Sequence, residues 1–233
     1  AKKAGIQVAK HQMVNVKGHG VSVITRFDRD GTQRIPFLSA HSLLGLAPDQ
    51  SGAYTMLADG IRQFGDNTSN DLHELWRRLI FSLLASNYDD HLRNHGFLML
   101  KAGRWSLSPA YDLNPVPEID RRQTPKTPIT EDQEEPSIDA ALSAAPRFGL
   151  KTTAAKTILR EVLTAVTDWR PTGRQLRLKA STLNAYATAF EHPAHREADG
   201  GNARGGPGLD LDQKRHAAGD EICKRRLCTL NGT

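Results

Sequence analysis

Two short stretches of polar residues near the middle of the chain have side chains that could bind a metal ion and orient a nucleophile. The first is residues 87–94, Asn-Tyr-Asp-Asp-His-Leu-Arg-Asn, and the second is Tyr111-Asp112. Between them, an apolar run and an alternating run are separated by a turn at residues 101–104, a pattern that predicts an antiparallel hairpin. Because the two ends of a hairpin are neighbours in space, we expect the two stretches to lie side by side.

The side chains expected to meet there are two carboxylates and one carboxamide, those of Asp89, Asp112 and Asn94. Such hard oxygen donors suit Mg²⁺, which keeps water molecules and substrate phosphates as its other ligands. A carboxylate that is left free beside the metal can orient a hydroxyl nucleophile. The two stretches therefore predict a site for phosphoryl transfer.

A hydrolytic metal site is an alternative interpretation of the same loop. Its ligands would be Asp89, Asp90, His91 and His95, and the two histidines are spaced as zinc ligands on one face of a helix. However, Gly96 follows directly and the segment has no apolar face, so a helix is not expected here.

An amphipathic helix is expected to carry the first stretch. The predicted helix covers residues 71–85, with Asp71 or Asn70 as its cap. Its apolar side chains form one wide stripe: Leu72, Leu75, Trp76, Leu79, Ile80, Leu83 and Leu84. This stripe places the helix at the centre of the core, so the loop that follows it hangs from a rigid, buried element.

The other elements indicate an α+β fold, with a small sheet followed by helices. Strands are expected at residues 11–16 and 21–26, joined by a turn at 17–20, and Ser39 is expected to cap a short helix that runs through Leu44. Further predicted elements are helices at residues 54–64, 138–145, 153–169 and 172–190 (the last begun by Pro171), an irregular surface loop at 115–137 and a disordered segment at 193–233.

In its motifs, the chain resembles the HipA family of serine/threonine kinases, the toxins of bacterial toxin-antitoxin pairs. The catalytic loop of that family reads D-x-H-x-[KR]-N, matched here by Asp89, His91, Arg93 and Asn94. Its metal-binding Tyr-Asp pair is matched by Tyr111-Asp112. The family's hinge under the adenine is matched by Arg26-Phe27-Asp28-Arg29, at the end of a predicted strand.

This resemblance implies a role for each matched residue. Asp89 would orient the substrate hydroxyl, with Asp90 as an alternative that the family spacing disfavours. His91 would hold the loop by bonding to backbone, and Arg93 would neutralise charge on the γ-phosphate. Asn94 and Asp112 would bind Mg²⁺, and the residues implied to contact ATP are Thr25, Arg26, Phe27, Asn94, Tyr111 and Asp112.

The resemblance extends over roughly residues 1–192 and implies a protein-kinase-like, mostly helical carboxy-terminal lobe. Residues 1–37 would be the remnant of the amino-terminal lobe with the hinge, and residues 38–192 the helical lobe. Kinases of this family have upstream strands that carry a phosphate-covering loop and an ATP-contacting lysine. Residues 1–6 resemble the end of the helix after those strands, so Lys2 and Lys3 are poor matches for that lysine. A truncated or split kinase is therefore expected.

The family also implies two partners. One is a protein substrate from the translation machinery, such as an aminoacyl-tRNA synthetase, and the other is a helix-turn-helix antitoxin that contacts DNA.

Two alternatives remain open. One is a non-catalytic module that binds an antitoxin or a partner subunit. The other is a small-molecule kinase, since aminoglycoside- and choline-kinase-like enzymes have related D-x-x-x-x-N spacing.

Composition restricts the remaining possibilities. The 233 residues carry a net charge of +5 with dispersed basic residues, which permits contact with nucleic acid without requiring it. No apolar run is long enough for a membrane helix and no signal peptide opens the chain, so a cytoplasmic protein without a membrane partner is expected. The two cysteines, Cys223 and Cys228, have no second pair nearby, so a zinc site is not expected from them.

Overall fold

The structure of the chain is a computed structural model that describes residues 1–133 and 135–199. It begins with a 3₁₀ turn at Lys2–Ala4, which ends at Gly5 in the left-handed conformation. A hairpin follows, formed by β1 (His11–Val16) and β2 (His19–Ile24). One further pair of short strands, a three-stranded sheet and the helices then build the rest of the described chain.

The turn of this hairpin is shorter than the sequence predicts. Val16 pairs with His19, so only Lys17 and Gly18 lie between the strands. Both have positive φ, 51° and 85°, as a two-residue turn with the twist of the strands requires. The second strand therefore begins two residues before the predicted residue 21.

Three antiparallel strands form a sheet that includes the predicted hairpin. After the short pair β3 (Arg29–Asp30) and β4 (Gln33–Arg34), β5 (Phe37–Ser39) pairs with β6 (Gly96–Lys101), which pairs with β7 (Arg104–Leu107). The predicted hairpin after residues 87–94 is thus confirmed as β6 and β7. The pairing of its first strand with β5 has no signal in the local sequence, because it joins segments far apart in the chain.

Nine helices are present in the described part of the chain: α1 (Ala40–Leu43), α2 (Tyr54–Phe64), α3 (Thr68–Leu84), α4 (Ile138–Ala144), α5 (Thr152–Thr167), α6 (Trp169–Gln175), α7 (Ala180–Ala185), α8 (Ala187–Phe190) and α9 (Pro193–Ala198). The predicted helix 54–64 is confirmed at both ends, and Ser39 caps α1 by accepting a hydrogen bond from the N–H of Ser42. None of these helices is long and apolar enough to span a membrane.

The predicted helix at 172–190 is wrong, because that segment contains three short helices. Arg177 has φ 59°, and the N–H of Leu178 returns to the carbonyl of Gly173, which ends α6. Its apolar residues are too sparse to hold a single helix against the core. Helix α6 already begins at Trp169, so Pro171 lies in its first turn, where a helix tolerates proline.

Helix α3 is the centre of the core, as predicted. Leu75, Trp76 and Ile80 are fully buried in a cluster that also includes side chains of α2 and α5. The predicted cap is wrong, because α3 begins at Thr68. Asp71 lies inside the helix and is buried, and its carboxylate accepts a hydrogen bond from the N–H of Leu107 at 3.0 Å.

The segment expected to be disordered begins with an ordered helix. Pro193–Ala198 is α9, and the imidazoles of His192 and His195 both bond to the carbonyl of Leu84 at the end of α3, at 3.1 and 2.8 Å. Hydrogen bonds to a helix end account for this order. Residues 200–233, which include Cys223 and Cys228, lie outside the described residues.

Candidate functional site

The loop at residues 87–94 leaves α3 through a sharp turn. Ser86 is buried and has φ 49°, a left-handed conformation that ends the helix. The N–H of Asn87 then bonds to the carbonyl of Ser82 at 2.9 Å. The loop is therefore fixed at its origin to the most buried element of the fold.

The two adjacent aspartates of the loop face different surroundings. Asp90 is buried, and its carboxylate is bonded by the Tyr54 hydroxyl and by His95 Nε2 at 3.0 Å. Burial acts to raise the pKa of Asp90, but His95 and the two hydrogen bonds outweigh it and lower that pKa below its usual range. Asp89 is exposed and forms an ion pair with Lys126. Of these two carboxylates, that of Asp89 is therefore the one exposed to solvent.

The structure places the arginine of the loop against α1 and one ring nitrogen of its histidine in the interior. Nη2 of Arg93 lies 3.4 Å from His41 Nε2 and 3.2 Å from the Pro48 carbonyl. Nδ1 of His91 is buried without a hydrogen-bond partner among the described residues. The backbone bond expected of His91 is therefore not made by this atom.

Tyr111 joins the second stretch to the first. Its hydroxyl donates to the backbone carbonyl of Arg93 at 2.8 Å, directly before Asn94. Asn94 is buried at the end of a 3₁₀ turn, Leu92–Asn94. Burial raises the pKa of Tyr111 to about 12, so its hydroxyl stays protonated and remains a donor.

Asp112 is exposed and has φ 56°, a conformation that non-glycine residues adopt only when their surroundings hold them. Its Oδ1 accepts a hydrogen bond from Asn114 Nδ2 at 2.7 Å. The N–H of Asn114 in turn bonds to Oδ1 of Asn87 at 3.1 Å. The loop and the Tyr-Asp segment are thus linked a second time, by residues to which the sequence assigned no role.

The predicted adenine hinge touches this pair of segments through one residue. The Phe27 ring stacks on Tyr111 with centroids 5.6 Å apart and planes at 28°. Arg26 is exposed and its Nε bonds to Asp28 at 2.8 Å, while the N–H of exposed Thr25 bonds to the Lys10 carbonyl at 2.8 Å. Of the residues predicted to form the hinge, Phe27 is therefore the one that stacks on Tyr111.

Helix α3 also supports the segment that leads to Tyr111. Arg78 is only 2% exposed, and it donates to the Ser108 carbonyl at 2.7 Å and to Glu74 at 2.9 Å. Gly96 lies beneath the same segment, and a Cβ there would be 2.7 Å from Oγ of Ser108. Such close packing accepts only glycine. No local sequence pattern predicts this contact of Arg78, because Ser108 lies thirty residues away.

The donor set of the predicted metal site fits Mg²⁺. Asn94 and Asp112 would supply a carboxamide and a carboxylate oxygen, and the bond of Tyr111 to Arg93 brings the segments of the two residues together. For the hydrolytic alternative, residues 1–133 and 135–199 contain no group of three His, Cys, Asp or Glu side chains able to hold a metal. His95 lies buried against Tyr54 and Asp90, which leaves it unavailable as a surface ligand.

The predicted surface loop at residues 115–137 lies mostly at the surface, but part of it is anchored to α2 and to the loop at residues 87–94. It is irregular, as predicted, apart from a 3₁₀ turn at Glu118–Asp120. Thr127 and Ile129 are buried, and the carbonyls of Pro128 and Ile129 bond to the first N–H groups of α2. Buried backbone groups need such partners, and these lie too far along the chain for sequence patterns to reveal.

Comparison with known proteins identifies the family. The sequence profile of the HipA-like C-terminal domain matches residues 1–170. A Haemophilus influenzae protein named "Putative kinase" is 31% identical over 136 residues, which cover 51% of this chain and 40% of that protein. "Putative kinase Y4dM" of Sinorhizobium fredii is 32% identical over 141 residues, which cover 53% and 34%. The chain thus spans well under half the length of these relatives.

A solved structure shows the same fold. HipA of Shewanella oneidensis MR-1, determined with HipB and operator DNA, superposes with a TM-score of 0.68 at 20% identity. The match covers 86% of this chain and 55% of that one. The expected α+β, HipA-like fold is thereby confirmed. With the profile matching most of its length, the chain belongs to the HipA-like C-terminal domain family.

Proposed function

We propose that this chain is the catalytic-lobe portion of a HipA-type serine/threonine kinase, which uses ATP and Mg²⁺ to phosphorylate a protein hydroxyl. The observation that carries the proposal is the chain of contacts from Phe27 through Tyr111 to Arg93. These contacts join the hinge, the Tyr-Asp pair and the catalytic loop. They are the three segments that phosphoryl transfer needs at one place.

In this mechanism Asp89 orients the substrate hydroxyl, because it is the exposed carboxylate of the loop. The hydroxyl oxygen bonds to the γ-phosphorus, the bond from that phosphorus to the β-phosphate oxygen breaks, and ADP leaves with the electron pair. The hydroxyl proton passes to the Asp89 carboxylate. Asn94 and Asp112 would hold Mg²⁺, which supplies charge neutralisation on the phosphates.

The partners follow from the family. Shewanella HipA was solved with HipB and operator DNA, and this supports a toxin role here, with a helix-turn-helix antitoxin that carries the contact to DNA. The protein substrate is proposed to belong to the translation machinery. The cytoplasmic location expected from the sequence stays a prediction.

A second function, a non-catalytic module that binds the antitoxin or another subunit, is favoured by one observation. The chain covers 40% and 34% of the curated relatives and 55% of Shewanella HipA. Activity of the whole protein could therefore depend on segments that these matches leave out.

The test is a calorimetric titration of MgATP into this chain and into its Asp112→Asn variant. Asp139→Asn serves as a matched control, because Asp139 is also exposed but lies in α4. Micromolar binding that is lost in Asp112→Asn and kept in Asp139→Asn supports the kinase. Absence of binding by the unchanged chain contradicts the proposal for this polypeptide and favours the binding module.

A further inference from the structure

Lys126 forms an ion pair with Asp89, the carboxylate proposed to orient the nucleophile. The two side chains are 30% and 51% exposed, so the pair lies at the surface of the site with its open side toward solvent. Lys126 comes from the irregular segment after Tyr111-Asp112, to which the sequence assigned no chemistry. An exposed pair of this kind adds little to stability, so stability alone does not account for its placement beside the proposed nucleophile-orienting carboxylate.

Backbone contacts hold Lys126 in this position. Its own N–H bonds to the carbonyl of Tyr88 at 3.1 Å, and the Thr127 hydroxyl donates to the carbonyl of Asp90 at 2.9 Å. These two bonds flank Asp89 on both sides. A lysine is flexible, but here the backbone on either side of it is fixed to the loop that carries its partner.

A second set of contacts fixes the earlier part of the same segment. The N–H of Val116 bonds to the Ser86 carbonyl at 3.0 Å. Arg121 donates to the Ser86 hydroxyl at 2.6 Å and lies over the Tyr88 ring, 5.0 Å from its centroid. Residues 116–127 are thus attached to the catalytic loop at several points along their length.

The cation that the motif places in the loop is engaged elsewhere. Arg93 is directed toward His41 and the Pro48 carbonyl, on the side of α1. The ion pair of Asp89 is with Lys126. Transfer of a phosphoryl group needs positive charge close to the oxygens on which negative charge develops.

We propose that Lys126 is the cation of the phosphoryl-transfer site, which holds Asp89 and contacts the γ-phosphoryl oxygens during transfer. This inference rests on the proposed kinase function. The bonds that form and break are those given above, and Lys126 keeps its proton throughout. Its ammonium neutralises charge that grows as the γ-phosphoryl group moves from ADP to the hydroxyl oxygen.

The experiment measures ADP formation from MgATP by this chain, with casein as the acceptor protein, and calorimetric binding of MgATP. Lys126→Met, Lys126→Arg and Lys101→Met are compared with the unchanged chain. Lys101 is the matched control, since it is an exposed lysine paired with an aspartate, Asp66, at 2.9 Å. Thermal unfolding of each variant checks that all are folded at the assay temperature.

Lys126→Met is expected to lower kcat about 10- to 100-fold, with the dissociation constant of MgATP unchanged within about threefold. Lys126→Arg restores part of kcat, and Lys101→Met leaves it unchanged. If the unchanged chain is active and Lys126→Met keeps its kcat, the inference is overturned alone. If the unchanged chain forms no ADP, the inference is overturned together with the proposed function.

Discussion

The carboxamide oxygen of Asn87 accepts a hydrogen bond from the backbone N–H of Asn114 at 3.1 Å, across twenty-seven residues of sequence. The Asn87 amide also donates to Oγ of Ser82 in α3 at 3.3 Å. Asn114 bonds to Asp112 through its side chain. One buried carboxamide therefore connects the central helix, the loop at residues 87–94 and the proposed metal-binding segment.

Asn87→Ala is expected to release the Asp112–Asn114 segment, because it leaves the Asn114 N–H without its acceptor. The free energy of unfolding should fall by about 1–3 kcal/mol, and hydrogen exchange of the Asn114 amide should accelerate at least about tenfold. Asn87→Asp keeps the acceptor and should slow that exchange again.

The matched control for this prediction is Asn15→Ala. Asn15 also accepts a hydrogen bond from a backbone N–H, that of Gly18 at 2.9 Å, but in an exposed turn. Its loss should change stability by about 0.5 kcal/mol or less, as for other surface substitutions. Equal exchange of the Asn114 amide in Asn87→Ala and in the unchanged chain contradicts the proposed link.

Tyr111→Phe separates the two contacts of Tyr111. The variant keeps the ring that stacks on Phe27 but loses the hydroxyl that donates to the Arg93 carbonyl. We expect a loss of stability of about 1 kcal/mol and weaker Mg²⁺-dependent ATP binding, because Asn94 follows Arg93. Phe27→Leu removes the stack instead and should weaken binding of ADP without metal. Identical calorimetric profiles for the two variants would argue against separate roles.

The pKa of Asp71 predicts a fall in stability with rising pH. Burial raises this pKa from 3.8 to about 6, although the hydrogen bond from Leu107 acts to lower it. The folded state therefore holds a proton that the unfolded chain releases near pH 4. Its contribution to stability is present below pH 4 and is lost as pH rises through 6, by at most about 3 kcal/mol.

Urea unfolding at several pH values between 4 and 7 measures this effect. Asp71→Asn keeps an oxygen that can accept from Leu107 but cannot titrate, so its stability should depend less steeply on pH across that range. Asp120→Asn, a substitution of an exposed aspartate, is expected to follow the unchanged chain. The same slope in Asp71→Asn and the unchanged chain would show that Asp71 is not the titrating group.

The attachment of α9 is expected to respond to pH in the opposite direction. Burial, and then the neighbouring His195, lower the pKa of His192 to about 4, and burial also lowers the pKa of His195. Arg121 lowers the pKa of His192 further, while Glu191 acts to raise the pKa of His195. The folded state binds fewer protons than the unfolded chain, so stability is lost as pH falls from 6.5 through 4.

Amide exchange of α9, followed from pH 7 to pH 4.5, measures this detachment. His192→Gln keeps an N–H donor for the Leu84 carbonyl without the titration, so its α9 should stay protected at lower pH. Protection of α9 that is independent of pH in the unchanged chain would contradict the assignment.

The sequence by itself determined the elements whose signals are local. The apolar stripe of α3 places it in the core because a stripe that wide must be buried. Ser39 fixes the start of α1, and the run after Asn94 fixes a hairpin, each through neighbours within a few residues. The motif residues Asp89, Asn94 and Asp112 could be proposed as site residues for the same reason, since their types and spacing can be read directly from the sequence.

Tertiary structure alone decided what those residues touch. Asp89 and Asp90 are adjacent and identical in type, yet they have different surroundings. Asp90 is buried and bonded to Tyr54 and His95, while Asp89 is exposed. The pairing of Lys126 with Asp89 joins segments thirty-seven residues apart. Local sequence cannot encode such contacts, because they depend on how the chain folds back on the central helix. Asp71 is a further example: the sequence predicts a helix cap, but in the folded chain its buried carboxylate accepts a hydrogen bond from Leu107.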